Sequence, residues 1–181
     1  MFLYDKINVL DLEATCWERG GDYQREHSEI IEIGICKYVV ASAEITDKRS
    51  FYVVPERSEI SPYCTALTGI TPELVREEGT TLARALDLIR RKYSCDKRLW
   101  AGWGEYDRTQ LLAECARAGI ACPFRRSYLN VKALYAMRRN GAEPVDLNGA
   151  LALMGVDFEG RPHSGADDAY NAARVLRDVL T

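Results

Sequence analysis

The order of the apolar segments is the feature that most constrains the fold. Three segments rich in β-branched residues come first, at residues 7–15, 29–40 and 49–54, and their close succession favours antiparallel pairing. Two short apolar segments, at residues 99–103 and 127–131, then alternate with amphipathic stretches, which favours parallel βα units. The sequence therefore predicts an α/β fold with a mixed five-stranded sheet, in which three antiparallel strands precede parallel βα units and helices cover both faces.

The helical segments follow from apolar spacing and from start and stop signals. A helix is predicted to begin at Thr71-Pro72, and others are predicted at residues 81–93, 107–118, 132–138, 147–154 and 164–180. Residues 62–71 are rich in turn dipeptides and predict turns, and His27 is predicted to lie in an exposed polar loop. With 181 residues and no linker-like stretch, the chain is expected to form a single domain over residues 1–181.

Charge and hydropathy exclude several classes of protein. No apolar run approaches the ~20 residues that span a bilayer, and Asp5 and Lys6 interrupt the start where a secretory signal would be apolar. A soluble, cytoplasmic protein without membrane contact is expected. The 6 cysteines contain no C-x-x-C pair, which indicates reduced, mostly buried thiols and no zinc ribbon.

Two carboxylates, Asp11 and Glu13, stand at the end of the first predicted strand. Residues i and i+2 of a strand project from the same face, so both side chains point to one place. Two like charges so close are costly unless a cation lies between them, and oxygen ligands favour Mg²⁺ or Mn²⁺ over zinc. Acids at strand ends are common, so this pair alone is a weak indication of a metal site.

A histidine and further acids surround the start of the last predicted helix. Ser164 followed by Asp167 has the form of a capping box, so the helix is predicted to begin near Ser164, with His163 just before it and Asp168 in its first turn. One interpretation is a surface histidine beside an aspartate that complements the helix dipole. The other interpretation is that His163 and Asp168 belong together to a functional site at the start of this helix. Asp107, which opens an earlier helix after a short strand, can face the same cleft.

The combination of Asp11-x-Glu13, Asp107 and His163-x4-Asp168 resembles the pattern of the DEDDh 3′–5′ exonucleases, which have the ribonuclease-H-like fold. Within them the chain is most similar to the subgroup of the histone-mRNA 3′ exonuclease, its RNA-interference-regulating relatives and their bacterial homologues. The similarity is carried by residues 11–16, 29–32, 67–71, Asp107, Asn130 and 160–168. These motifs are specific only in combination.

The resemblance implies a metal-dependent exonuclease that releases 5′-mononucleotides from single-stranded 3′ ends, with RNA favoured and with two Mg²⁺ ions for which Mn²⁺ can substitute. Residues matching the family pattern are Asp11, Glu13 and Asp168 for the first ion, and Asp11 with Asp107, acting mainly through water, for the second. His163 matches the general base, since an imidazole can accept a proton at neutral pH. The residues placed by resemblance at the terminal nucleotide are Leu12, Ala14, Thr15, Leu67 and Thr68.

Other interpretations stay open at this point. One is a DNA-trimming or proofreading exonuclease of the same superfamily, because the 2′-hydroxyl is read by groups that motif spacing does not locate. Another is a catalytically idle domain that binds nucleic acid or a partner protein, although all four acids and the histidine are present. A phosphatase has only the acids in its favour. Tyr106 differs from the Trp usual in the eukaryotic relatives.

The formal charge of -3 is compatible with a polyanionic substrate. Four of the 27 acids lie at the expected metal site, and two divalent ions outweigh the charge of that site. Basic clusters at residues 90–92, 125–126 and 138–139 are candidates for contacts with a nucleic-acid backbone, with a solvated helix surface as the alternative. The sequence does not indicate protein partners or an oligomeric state.

Overall fold

The structure is a computed structural model that describes residues 1–141, 143 and 145–181. Its strands are β1 (Leu3–Ala14), β2 (Ile30–Val39), β3 (Glu44–Tyr52), β4 (Arg98–Gly102) and β5 (Tyr128–Asn130). Its helices are α1 (Gly21–His27), α2 (Pro62–Thr68), α3 (Pro72–Glu78), α4 (Leu82–Tyr93), α5 (Tyr106–Arg117), α6 (Val131–Arg138), α7 (Leu147–Leu153) and α8 (Gly165–Leu180).

The strands form one mixed five-stranded sheet in the order β3-β2-β1-β4-β5. β2 is antiparallel to both β1 and β3, whereas β4 is parallel to β1 and β5 is parallel to β4. The predicted fold class is therefore confirmed. β1 lies at the centre of the sheet, and its last residues extend beyond its pairing with β4, which ends at Val9.

Side chains of β1 alternate between two apolar cores, one on each face of the sheet. Ile7 and Val9 pack with α6, α7 and α8, whereas Leu10 and Leu12 pack with α4 and α5. Because strand residues alternate with period two, Asp11 and Glu13 continue the face that α8 covers. The two acids therefore point toward α8 and not toward α4.

Two helices form where the sequence predicted turns or a loop. Ser61-Pro62 starts α2, since the Ser61 hydroxyl accepts a hydrogen bond from the Cys64 amide (3.0 Å) and proline suits a first helical position. Gly69, at φ 74°, ends the same helix. The dipeptides Ser61-Pro62 and Thr68-Gly69, which predicted turns, therefore mark the two ends of α2. The polar segment around His27 forms α1, and His27 is exposed as predicted.

The third strand is also displaced from its predicted position. The alternation at residues 49–54 predicted a strand there, but β3 covers Glu44–Tyr52 because pairing with β2 extends the strand through exposed polar residues. All six cysteines are free thiols and five of them are buried, as expected. None of the described helices is both long and apolar enough to cross a membrane.

Candidate active site

A direct contact between two backbones places the start of α8 on the sheet. Gly34 pairs with Asp11 across β1 and β2, and a Cβ atom at Gly34 would lie 1.8 Å from the carbonyl carbon of Gly165. A Cβ at Gly165 would lie 3.2 Å from the carbonyl oxygen of Asp11. Because no side chain separates the two elements, Asp168 in the first turn of α8 comes close to the acids of β1.

Glu32 holds the N-terminus of α8. Its carboxylate accepts hydrogen bonds from the backbone amides of Gly165 (3.0 Å) and Ala166 (3.2 Å) and from the Ser50 hydroxyl (2.6 Å). A buried carboxylate at this position also complements the helix dipole. No role was predicted for Glu32 from the sequence, although an acid flanked by Ile31 and Ile33 is a signal that it has specific partners.

The predicted capping box is wrong in its hydrogen bonds. The helix begins where predicted, with Ser164 as its N-cap, but the Ser164 side chain makes no capping hydrogen bond. Asp167, the other member of the box, accepts a hydrogen bond from the Arg161 amide (2.8 Å) and forms an ion pair with Lys48. Glu32 performs the capping instead, because its two oxygens reach two amides at once.

The predicted acids come together in one pocket of about 350 Å³. One carboxylate oxygen from each of Asp11, Glu13 and Asp168 lies within 4.8 Å of the others. Asp107 joins from α5, where its Oδ1 accepts a hydrogen bond from the Leu12 amide (3.2 Å). All four acids line the pocket.

Burial and mutual repulsion raise the pKa of each of these carboxyl groups. Burial, followed by the charge of Asp168, raises the pKa of Glu13 to about 8. Burial raises the pKa of Asp107 to about 7 and that of Asp168 to about 6. The pKa of Asp11 lies well above its usual range because of burial and then the charge of Asp107. The four groups thus resist ionising together, and their oxygen-only donor set suits a divalent metal ion that offsets the repulsion.

His163 lines the same pocket from an exposed turn before α8. Its backbone is left-handed, at φ 61°, which is uncommon for a residue other than glycine. The Arg161 side chain, two residues earlier, donates hydrogen bonds to the carbonyl oxygens of Ala66 (3.4 Å) and Leu67 (3.2 Å) at the end of α2. The turn that carries His163 is therefore tied to the element that carries Leu67.

Three of the residues expected to bind the terminal nucleotide line the pocket, namely Leu12, Ala14 and Leu67. The Thr15 hydroxyl accepts a hydrogen bond from the Glu29 amide (2.9 Å), and the Thr68 hydroxyl donates to the Cys64 carbonyl (2.9 Å). Both threonines are buried and do not line the pocket, so their contact with a nucleotide stays a prediction.

The pocket also contains residues that the sequence reasoning did not assign to it. These are Cys16, Gln24, Trp103, Tyr106 and Leu147. Tyr106 and Cys16 had a sequence signal, because Tyr106 precedes Asp107 and Cys16 ends the motif at residues 11–16. Gln24, Trp103 and Leu147 come from separate elements, and no local spacing connects them to the acids.

The predicted basic clusters lie outside this pocket. Arg90 and Arg91 form ion pairs with Asp87 on their own helix, and Arg138 pairs with Asp178. Side chains that are paired in this way on exposed helices behave as solvated surface. The structure thus favours the alternative interpretation for these arginines.

Comparisons with known proteins place the chain in a family. A family model described as Exonuclease, RNase_T, matches residues 9–176. The 3′-5′ exoribonuclease 1 of Homo sapiens is 32% identical over 186 residues, which cover 98% of this chain and 53% of the relative. ERI1 exoribonuclease 2 of Xenopus laevis is 30% identical over 98% of this chain and 28% of its own length. The chain thus spans about a quarter to a half of the length of these relatives.

Solved structures agree with this assignment. The nuclease domain of 3′hExo, a DEDDh family member bound to rAMP, superposes with a TM-score of 0.88 at 29% identity, covering 98% of this chain and 92% of that one. A 3′-exonuclease that recognises the histone mRNA stem-loop gives a TM-score of 0.85 at 30% identity, covering 99% of this chain and 83% of that one. The predicted resemblance and fold are confirmed, and the chain belongs to the RNase_T exonuclease family.

Proposed function

We propose that the chain is a metal-dependent 3′–5′ exonuclease that hydrolyses single-stranded nucleic acid, RNA in preference to DNA, to 5′-mononucleotides. The observation that carries this proposal is the convergence of Asp11, Glu13, Asp107 and Asp168 on one pocket with His163 in its wall. Membership of the exonuclease family supports the reaction class. The preference for RNA is supported by relatives named exoribonucleases and by neighbours solved with rAMP or a histone mRNA stem-loop.

The proposal includes two Mg²⁺ ions, for which Mn²⁺ can substitute. Asp11, Glu13 and Asp168 would hold one ion, and Asp11 with Asp107, acting through water, would hold the other. When bound, the ions supply Lewis acids that stabilise charge on the scissile phosphate and on the departing 3′ oxygen. The raised pKa values of the acids support this, because a bound divalent cation offsets both the burial and the mutual repulsion that raise them.

The residues of the chain do the remaining work. A ring nitrogen of His163 takes the proton from the attacking water, and the exposure of the imidazole lets that proton pass to solvent. Leu67 provides an apolar wall for the terminal nucleotide, and Leu12 and Ala14 border it with their backbone, since the Leu12 side chain packs with α4 and α5. The Arg161 hydrogen bonds keep the His163 turn beside Leu67, so the base and the nucleotide wall hold a constant separation.

A digestion assay tests this function. RNA and DNA oligomers of matched sequence, labelled at the 5′ end, are incubated with Mg²⁺ and the products are resolved by length. We expect a ladder that shortens from the 3′ end, faster for RNA, that a chelator abolishes and a 3′-phosphate blocks. Faster digestion of DNA would favour a DNA-trimming exonuclease, and cleavage of a circular strand at the same rate would indicate an endonuclease.

A further inference from the structure

A second pocket, of about 510 Å³, adjoins the catalytic pocket. Gln24 and Tyr106 line both pockets, so the two lie side by side. One wall of the second pocket is formed by α1 and by Gly20, which precedes it, and the other wall is formed by α5. The second pocket is hereafter termed the α1–α5 groove.

A single face of α5 runs along this groove. Its lining residues on α5 are Tyr106, Thr109, Gln110, Ala113 and Arg117, which recur at spacings of three and four. From Tyr106 to Arg117 the helix advances about 16 Å at ~1.5 Å per residue. At the ~3.4 Å spacing of stacked bases, that length accommodates about four to five nucleotides.

The chemistry of the groove suits a polyanionic strand. Arg25 and Arg117 are both exposed and lie in its walls, and Tyr106, 54% exposed, offers a ring at the junction with the catalytic pocket. Arg25 pairs with Asp22, but both side chains are more than three-quarters exposed (77% and 83%), so this pair holds the guanidinium only weakly.

Glu114, which also lies on α5, does not repel a phosphate in the α1–α5 groove. Glu114 is buried, and its Oε1 accepts hydrogen bonds from the Ile30 amide (2.7 Å) and from the Gln110 side chain (2.7 Å). Its carboxylate therefore points into the protein. The opposite wall begins with Gly20 and Gly21, which carry no side chains and so let a backbone approach closely.

We infer that the α1–α5 groove binds the substrate strand upstream of its 3′-terminal nucleotide, with Arg25 and Arg117 contacting phosphates and Tyr106 stacking on a base. This inference rests on the proposed function, because that function places the 3′ terminus in the catalytic pocket. The upstream strand then leaves past Gln24 and Tyr106 into the groove. Activity therefore rises with substrate length until about five or six nucleotides are present, when the groove is full.

A length series tests the inference. The kcat/KM of wild type and of an Arg25→Gln/Arg117→Gln variant is measured on 5′-labelled RNA of two to ten nucleotides. We expect the variant to lose about tenfold on an octamer but less than twofold on a dinucleotide, which reaches only the catalytic pocket. On single strands each phosphate contact contributes about 0.7 to the slope of log KM against log salt concentration. The variant lacks two such contacts, so its slope should be about 1.4 lower than that of wild type.

A control variant, Arg91→Gln/Arg138→Gln, removes the same charge from exposed ion-paired arginines outside both pockets. It should digest the octamer like wild type. An equal loss in the control, or no loss in the groove variant, would overturn the inference.

A binding measurement separates this inference from the proposed function. The anisotropy of a 5′-fluorescent RNA octamer, titrated with each protein in chelator, reports strand binding without turnover. We expect the Kd of the groove variant to rise about tenfold and that of the control to stay constant. An unchanged Kd in the groove variant would refute the groove even in an active enzyme. If the Kd of the groove variant rises but the wild-type protein digests no oligomer, the groove is supported and the proposed reaction is refuted.

Discussion

Two pairs of acids lie side by side at one end of the sheet and differ in what surrounds them. Asp11 and Glu13 end β1, whereas Glu29 and Glu32 stand at the start of β2, and Glu13 is directly opposite Glu32 in the register. Glu13, Glu29 and Glu32 are all at most 9% exposed, and Asp11 is half-buried. Burial therefore does not distinguish Glu13 from Glu29 and Glu32.

The number of hydrogen-bond donors does distinguish them. Burial raises the pKa of Glu29, but hydrogen bonds from the Ser58 hydroxyl (2.7 Å) and the amides of Glu56 (3.0 Å) and Arg57 (2.8 Å) outweigh it, so its pKa is lowered. Glu32 has three donors of its own.

Glu13 instead faces other carboxylates, and in the part of the chain that the structure describes no protein donor reaches its oxygens. Buried acids with donors stabilise the fold, whereas buried acids without donors are available to a metal ion.

The largest effect expected from this comparison is that of Asp11→Asn. Turnover should fall by about 10⁴-fold, because metal ions contribute several kcal/mol of transition-state stabilisation and each ~1.4 kcal/mol is a factor of ten. The metal-free variant should unfold at the same temperature as wild type or higher, because one repelling charge is removed. Single-turnover rates and thermal unfolding in chelator measure both. A fully active Asp11→Asn enzyme would remove the metal assignment.

The β1 acids hold metal in this scheme and leave proton transfer to His163. His163→Ala should lower turnover by roughly 10²- to 10⁴-fold, the usual contribution of a general base, while Mn²⁺ affinity stays constant. Rate and Mn²⁺ affinity are measured on the same folded preparation. Weaker metal binding would make His163 a ligand, and an unchanged rate would exclude it from the mechanism.

Glu32→Gln should show the opposite pattern to Asp11→Asn. An amide cannot match a carboxylate that accepts from two backbone amides and a hydroxyl, so the free energy of unfolding should fall by about 1–3 kcal/mol. Turnover should fall less than in Asp11→Asn, because α8 is still held by its contact at Gly34. Chemical denaturation, with Ser50→Ala as a milder control, measures the loss. If Glu32→Gln were as stable as wild type, the hydrogen bonds that Glu32 accepts would not stabilise the fold, and the contrast with Asp11 and Glu13 would fail.

The smallest effect is a pH dependence of the metal-free protein. The pKa values of Asp168, Asp107 and Glu13 are raised to about 6, 7 and 8, so the folded state holds protons that the unfolded state releases. Their contribution to stability is present at low pH and is lost as the pH rises through these values. We expect the unfolding temperature in chelator to fall between pH 5 and pH 9, and Mg²⁺ to restore it at the higher pH. A constant or rising unfolding temperature would contradict the raised pKa values that burial and repulsion give these acids.

Features that depend on local spacing were determined by the sequence itself. The period-two geometry of a strand put Asp11 and Glu13 on one face, and helix signals put Asp168 in the first turn of α8, with His163 just before it. The order of apolar segments predicted the mixed sheet, because the direction in which strands pair follows from the length and type of the connections between consecutive elements. These predictions needed no knowledge of distant contacts.

Only the tertiary structure decided which distant groups meet. Glu32 caps a helix that begins 133 residues later, and this remote carboxylate replaces the hydrogen bond that the local capping box predicted. The family resemblance placed Asp168 with the β1 acids, but no spacing along the chain indicates the passage of two glycine backbones, at Gly34 and Gly165, that brings them together. The position of the α1–α5 groove beside the catalytic pocket has the same origin. Such contacts come from how elements pack, which spacing within one element does not specify.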